Sequence, residues 1–348
     1  LIKKAILYSN TLIKETGGGT TYLHSFIDFF RNRNFSIDCI NNEIIRNTNG
    51  INHKKHPSLI IPVLYPLYRM IYDFLVYDVV LFKSNYIPGM CINSKSILIV
   101  DFPFQTQLSI FDKYKIRRIK YVLCNSEYTA KWIHNYWGVN AKVIYPPSMK
   151  TDTVTHEIIK RHTILSVGRF VNSSRGKRQD ILINSFKTLC DSGIINYTLQ
   201  LVGYVQDENY LMELKKQSEG YPIEFIENID SQTLKKLYQE ATFYWHACGY
   251  DIDSNTDPSK VEHYGIAVAD AIAFGCFPLV YGNGGPAELT NQGIYGEIWF
   301  SEVELTEKTI KYINDPALLN NARQLLEERK LLFTEAAFIE SLSKIYGK

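Results

Sequence analysis

The sequence predicts an α/β protein made of two doubly wound domains that face each other across a cleft. Short apolar runs alternate with amphipathic stretches from end to end, the pattern of stacked βαβ units. A polar segment that follows Pro146-Pro147 interrupts the alternation once, as a linker does. The 348 residues, 45% of them hydrophobic, are enough for two buried cores. The expected boundaries are 1–150 and 151–332.

In the first half the strands are expected at Ala5–Tyr8, Ser36–Ile40, Val79–Phe82, Ile97–Val100, Tyr121–Cys124 and Val143–Tyr145. Helices are clearest at Thr20–Phe30 and Glu127–Tyr136, the latter with Ser126 as its N-cap. After the linker Ser148–Arg161, strands are expected at Thr163–Val167, Thr198–Val202, Ile223–Ile226, Thr242–Trp245 and Phe277–Val280. Helices lie around Ile181–Leu189, Gln232–Gln239 and Ile266–Phe274, and Pro316–Tyr346 is mostly helical. In such a sheet a ligand binds at the carboxyl ends of the strands.

Composition excludes several classes of function. The 38 basic and 36 acidic residues nearly cancel, leaving no global field for wrapping nucleic acid. The cysteines Cys39, Cys91, Cys124, Cys190, Cys248 and Cys276 form no Cys-x-x-Cys pair. They read as small core residues in a reducing compartment, without a zinc site. No secretory signal is read at the start. The lipophilic stretch Leu59–Phe82 is broken by Pro62, Pro66, Arg69, Asp73 and Asp78, which argues against a spanning helix. The expectation is a cytoplasmic protein with, at most, peripheral contact on the inner membrane face.

Three constellations carry chemistry. Gly17, Gly18 and Gly19 stand between the first strand and the first helix. Backbone without Cβ atoms can approach an anion there, or simply turn tightly. Gly168-Arg169 ends the strand Ile164–Val167, and Lys177 precedes the next helix. A guanidinium fork and an ammonium suit a diphosphate, although basic loops are often plain surface. The third run is Val261-Glu-His-Tyr-Gly-Ile-Ala-Val-Ala-Asp-Ala-Ile-Ala-Phe-Gly-Cys-Phe-Pro. Its Gly265 opens a helix with Ile266, Ala269 and Ala273 at inward spacing, and its free amides lie between Glu262 and Asp270. Carboxylates accept from hydroxyls and a helix N-terminus takes phosphate, which matches the polarity of a nucleotide-sugar.

This third run resembles the E-x7-E motif of the family 4 glycosyltransferases. Further segments resemble that family in the same order: Val122-Leu-Cys-Asn-Ser-Glu-Tyr-Thr-Ala-Lys-Trp-Ile, Val143-Ile-Tyr-Pro-Pro, Ser166-Val-Gly-Arg-Phe with Lys177-Arg-Gln-Asp-Ile-Leu-Ile, Tyr244-Trp-His-Ala-Cys-Gly, and Gly282-Asn-Gly-Gly-Pro-Ala-Glu. The resemblance implies a GT-B fold of two Rossmann-like domains and a retaining, metal-independent hexosyl transfer with no permanently bound cofactor. The donor it implies is a nucleotide-sugar. GDP-mannose is favoured because the Glu262-His263-Tyr264-Gly265-Ile266 run looks most like mannosyltransferases, and a UDP-sugar is the alternative.

By the same resemblance Glu262 contacts the donor hexose, Asp270 the ribose, and Arg169 and Lys177 the diphosphate. Gly168, His246, His263, Tyr264, Gly265 and Ile266 complete the donor site, and Gly17–Gly19 closes the cleft from the other domain. The helix at about 333–348 is expected to pack back on the first domain. Two departures from the family pattern stand out. Asp270 replaces a glutamate, and Asp101-Phe102 stands where the family often has an acceptor-side histidine. Asp101 and Phe102 are therefore read as acceptor contacts, or Asp101 as a strand-end cap. Asp251, Asp253 and Asp257 lack EF-hand spacing and read as a surface loop. Lys113, Lys115, Arg117, Arg118 and Lys120 form a basic run that faces solvent or anionic lipid. The expected acceptor is a glycan or a lipid-linked glycan. A nucleotide-sugar epimerase and a non-catalytic binding module remain as other uses of the same architecture, whereas a phosphorylase would need a pyridoxal-bearing lysine context that the sequence does not offer.

Overall fold

In the computed structural model, residues 2–9, 18–41, 51–53, 65–149 and 160–347 are described. They fall into two compact units, 1–147 with 338–348, and 148–337. Gly17 and most of the linker lie outside the described residues.

The first unit runs β1 (Lys3–Ser9), α1 (Gly18–Arg31), β2 (Phe35–Asn41), β3 (Ile51–His53), α2 (Tyr65–Val76), β4 (Val79–Lys83), β5 (Ser96–Val100), α3 (Ile110–Arg118), β6 (Tyr121–Cys124), α4 (Glu127–Trp137) and β7 (Lys142–Val143). Its seven strands lie in the order β3-β2-β1-β4-β5-β6-β7. Every pair is parallel, with Leu7 opposite both Cys39 and Leu81. β4 and β5 are buried at all positions, as continuous apolar runs must be when helices cover both sheet faces.

Alternation assigns the faces. Ala5, Leu7, Val79, Leu81, Ile97 and Ile99 meet Tyr22, Phe26 and Phe30 of α1. Ile6, Val80, Phe82, Leu98 and Val100 form the other core with residues of α2, α3 and α4. The expected strand at Val143–Tyr145 is shorter, since only Lys142 and Val143 pair with β6. Ser126 caps α4 by accepting from the Thr129 amide, and Gly138 closes it in the left-handed conformation.

The second unit runs β8 (Arg161–Val167), α5 (Gln179–Asp191), β9 (Thr198–Gly203), α6 (Glu208–Gln217), β10 (Ile223–Glu227), α7 (Ser231–Glu240), β11 (Ala241–His246), α8 (Ile266–Ala273), β12 (Phe277–Tyr281), α9 (Gly284–Leu289), β13 (Glu297–Trp299), α10 (Glu302–Asn314) and α11 (Pro316–Arg329). Its parallel sheet has the order β10-β9-β8-β11-β12-β13. Asp207, Asp230 and Ser301 supply N-caps to α6, α7 and α10, satisfying amides that have no partner within the helix. Trp245, Phe186, Phe243 and Trp299 are buried in its core. Among the described residues no helix is long and apolar enough to cross a membrane.

A last helix, α12 (Glu335–Tyr346), ends the chain. Phe338 packs edge-on against Tyr22 and Phe26, and Leu342 joins the same core of the first unit. Phe338→Ala is expected to cost about 3–5 kcal/mol through the cavity it leaves. Amide hydrogen exchange checks this: β1 and β4 should lose protection while β8 and β12 keep theirs.

Candidate active site

In the second unit the strand order reverses between β8 and β11, the switch point at which doubly wound sheets leave an open crevice. The carboxyl end of β8 delivers Gly168 and Arg169, and β11 ends on His246. The loop before α5 brings Lys177 across Gly168. A Cβ placed on Gly168 would lie 2.4 Å from Lys177 Cγ, so glycine is what lets the lysine lie against the strand end. Gln179, itself buried, donates to the carbonyls of Gly168 (3.3 Å) and Arg169 (3.1 Å) and holds this turn. Arg178 adopts the left-handed conformation at the start of α5, bonds Asp180 and donates to the Tyr250 carbonyl at 3.2 Å.

Lys177 and Glu262 form an ion pair, each side chain about a quarter exposed (25% and 22%). Burial opposes the Lys177 charge, but the Glu262 carboxylate outweighs it and the ammonium titrates above its ordinary range, with Arg169 pulling the other way. Burial likewise raises Glu262, yet Lys177 and then His246 overcome it and hold the carboxyl at about 2. The pair is therefore ionised through the whole neutral range.

His246 is 5% exposed, and neither ring nitrogen has a hydrogen-bond partner among the described residues. Burial, aided by Lys177, lowers its pKa to about 4 against the opposing pull of Glu262. The imidazole is thus neutral, with one donor and one acceptor left unsatisfied, an arrangement that costs stability until a ligand supplies partners.

Cys248, absent from the sequence-based assignment, lies beside it. Ligand atoms of His246, Cys248 and Glu262 all fall within 4.8 Å of one another. This set could hold a soft divalent ion, which would compete with Lys177 for Glu262. Burial pushes the Cys248 thiol up to about 11 despite Lys177, so it is an uncharged neighbour. Its signal in the sequence was only its place two residues after His246.

Gly265, with φ +95°, caps α8 in the left-handed region that favours glycine, and lets the chain turn from Glu262 into the helix. The Gly285 amide donates to the Glu262 carbonyl at 2.9 Å and pins the loop from behind. Tyr264 is buried, His263 half-buried and Ile266 partly exposed. α8 is buried from Val268 through Ala273, so Asp270 is an interior carboxylate, 6% exposed. Asp270 accepts the Met149 amide at 2.7 Å. Burial raises its pKa to about 7, and the Met149 bond only partly offsets this.

Arg169 is exposed and donates to Gln206 at 3.1 Å, so it neighbours the ion pair without joining it. Asp253 bonds its own loop at the Asn255 amide, and Asp257 pairs with Lys260.

The two first-unit candidates, Asp101 and Phe102, are both engaged within their own unit. Phe102 is 1% exposed and packed against Phe104 and Tyr128. Asp101 is the counter-ion of Lys83, which is 2% exposed. A buried ammonium needs such a partner, so this carboxylate neutralises a core lysine. Gly18 and Gly19 form the first residues of α1, and Gly17 lies outside the described residues.

Asp270→Asn tests its environment. A folded pKa raised above the unfolded value means the native state holds the extra proton, so stability falls as pH rises from about 4 through about 7. The variant should melt above the wild type at pH 8, with the gap narrowing steadily as the pH is lowered to about 4, as read by thermal unfolding.

The family described as Glycosyl transferases group 1 matches residues 151–329. The chain is 28% identical over 181 residues to GDP-Man:Man(3)GlcNAc(2)-PP-Dol alpha-1,2-mannosyltransferase of Xenopus laevis, an alignment covering 47% of this chain and 34% of that protein. The chain thus spans about a third of the length of such curated relatives. Its fold is similar to that of sucrose-phosphate synthase from Thermosynechococcus elongatus (TM-score 0.70, 14% identity, 99% of this chain and 98% of the other). It is also similar to Anabaena HepE in complex with UDP and glucose (TM-score 0.68, 15% identity, 99% of each chain). These likenesses establish the GT-B fold.

Proposed function

The chain belongs to the group 1 glycosyl transferases, and we propose that it moves mannose from GDP-mannose to a hydroxyl of a glycan or lipid-linked glycan, with retention and without a metal ion. The observation that carries a sugar-transfer site is His246: a buried, neutral imidazole with two unsatisfied nitrogens beside the ionised Lys177–Glu262 pair. The choice of mannose and GDP is supported by the name of the Xenopus laevis relative. A UDP-sugar is the second reading, favoured by the UDP and glucose in the Anabaena HepE complex.

In this reading the ion pair holds the place of the donor. Lys177 turns to the diphosphate, joined by Arg169 and the amides at the start of α8. Glu262, freed, accepts from hexose hydroxyls together with His246, while His263, Tyr264, Gly265 and Ile266 form the wall beside them. Asp270 meets the ribose. The acceptor oxygen bonds to the sugar's anomeric carbon as the bond to the phosphate oxygen breaks on the same face. The acceptor's proton passes to that departing oxygen. Lys177 and Arg169 stabilise the charge that grows there, which is where electrostatic catalysis has its largest effect.

A panel of GDP- and UDP-sugars, followed by acceptor-dependent nucleotide release, tests the assignment. Saturable binding without release would leave a recognition module, and an altered nucleotide-sugar without acceptor would indicate an epimerase. Lys177→Met should lower kcat by about 10²–10³-fold, and full turnover in that variant would remove Lys177 from the mechanism. Exposed Ile110, Phe111 and Tyr114 next to Lys113, Arg117 and Arg118 on α3 suit contact with an anionic membrane. Vesicles containing phosphatidylserine should co-sediment the chain, and Lys113→Glu with Arg117→Glu should release it.

A further inference from the structure

The first unit also has a strand-order reversal, between β1 and β4, and the described residues there enclose a cavity of about 220 Å³. Its walls include Tyr8 from the end of β1, Lys83 from the end of β4, Tyr86 and Gly89 from the following loop, and Arg69 from α2. Two of these side chains are cations. Their counter-ions, Asp73 and Asp101, are not part of the wall.

Arg69 is held in an unusual way. Its guanidinium lies 4.0 Å over the Tyr8 ring, and Gly89 approaches so closely that a Cβ there would sit 3.3 Å from Nη2. Its Nε is 3.7 Å from Asp73, beyond hydrogen-bond distance. Asp73 instead accepts the Tyr8 hydroxyl at 2.8 Å with both carboxylate oxygens. Among the described residues none accepts a hydrogen bond from Arg69. A guanidinium clamped flat, half-buried and with its fork of donors unused is prepared for a planar or tetrahedral oxyanion.

We propose that this cavity binds an oxyanion carried by a saccharide, a phosphate ester or a uronate carboxylate, with Arg69 as its fork, Lys83 as the adjoining charge and Tyr86 as a stacking face. That this saccharide is the acceptor rests on the glycosyltransferase reading; the binding itself does not. Tyr86 is 53% exposed at the wall, which leaves its ring available to a sugar.

The test uses the full chain labelled with 15N in its arginine side chains, in a Lys177→Met, Arg169→Met background that disables both cations assigned to the donor phosphates. The Arg69 Nε–H signal is assigned by its loss in Arg69→Lys. Inorganic phosphate and methyl glucuronide are titrated separately, with methyl glucoside as the neutral control. A shift of the Arg69 signal by either anion supports the site, and the stronger anion identifies the source. Read by calorimetric titration of the same anions, since the reporter signal is lost with the arginine, Arg69→Gln should weaken that binding roughly tenfold or more. Gly89→Val, which crowds the guanidinium without removing it, should weaken it as well and gives the answer if Arg69→Gln fails to fold. No shift with either anion, equal binding of methyl glucoside, or wild-type affinity in both variants would overturn the proposal. In the chain with its donor-site cations restored, and with a working acceptor, Arg69→Gln should raise the acceptor KM and leave kcat unchanged. An absence of turnover would count against the glycosyltransferase reading and leave the binding result standing.

Discussion

An all-parallel sheet must wind its crossover helices over one face or the other, and right-handed crossovers force the face to change where the winding direction reverses. Each unit of this chain obeys that constraint. In the first, α1 covers one face while α2, α3 and α4 cover the other, and the change falls between β1 and β4. In the second it falls between β8 and β11. Helices that leave in opposite directions expose the strand ends between them. At these two places the packing leaves room, and there the chain puts His246 with Gly168, and Lys83 with Tyr8.

Polar groups placed at such ends are costly, and the two units meet the cost in similar ways. Lys83 is buried against Asp101, and Lys177 is half-covered against Glu262. In each case the pairing is what allows a charge to stay in a low-dielectric wall, because an isolated one would be neutralised. His246 takes the other route and is held neutral. The surrounding aromatic core, including Trp245 next to it in sequence, is fully buried and supplies the stability against which an unsatisfied imidazole can be maintained. The site is thus a local conflict tolerated by a consistent fold.

That difference explains what could be read in advance. β4, β5 and β12 announce themselves as unbroken apolar runs, and Ser126 as a cap, because burial on two faces and capping are local properties. β3 and β13 have three residues each, too few for any periodicity. α6 and α10 are polar on average, so their short apolar stripes stand out little in the sequence. At the site, Glu262 and Lys177 were singled out separately, but their pairing across 85 residues of sequence is a tertiary fact. The burial of Phe102 is hidden from the sequence for the same reason: its covering rings, Phe104 and Tyr128, arrive from a loop and from α4. Gln179 and Cys248 lie inside segments that carry the family resemblance, but only the closeness of the backbone at Gly168 gives the first its task.

The shortened acid at position 270 is a case where the structure changes the question. Read as a substitution for glutamate, Asp270 has lost one methylene of reach. In the folded unit its carboxylate is already engaged, accepting the Met149 amide. The preceding residue, Ser148, donates its own amide to the Phe333 carbonyl at 2.8 Å. Both residues that follow Pro147 are therefore tied down, and one tie is the acid itself. A longer side chain at 270, itself a buried position, would have to fold back or displace the half-buried Met149, and added volume is poorly tolerated there. The aspartate is thus matched to the segment it anchors, and whatever hydroxyl it accepts from a donor shares the carboxylate with the backbone that leads into the second unit.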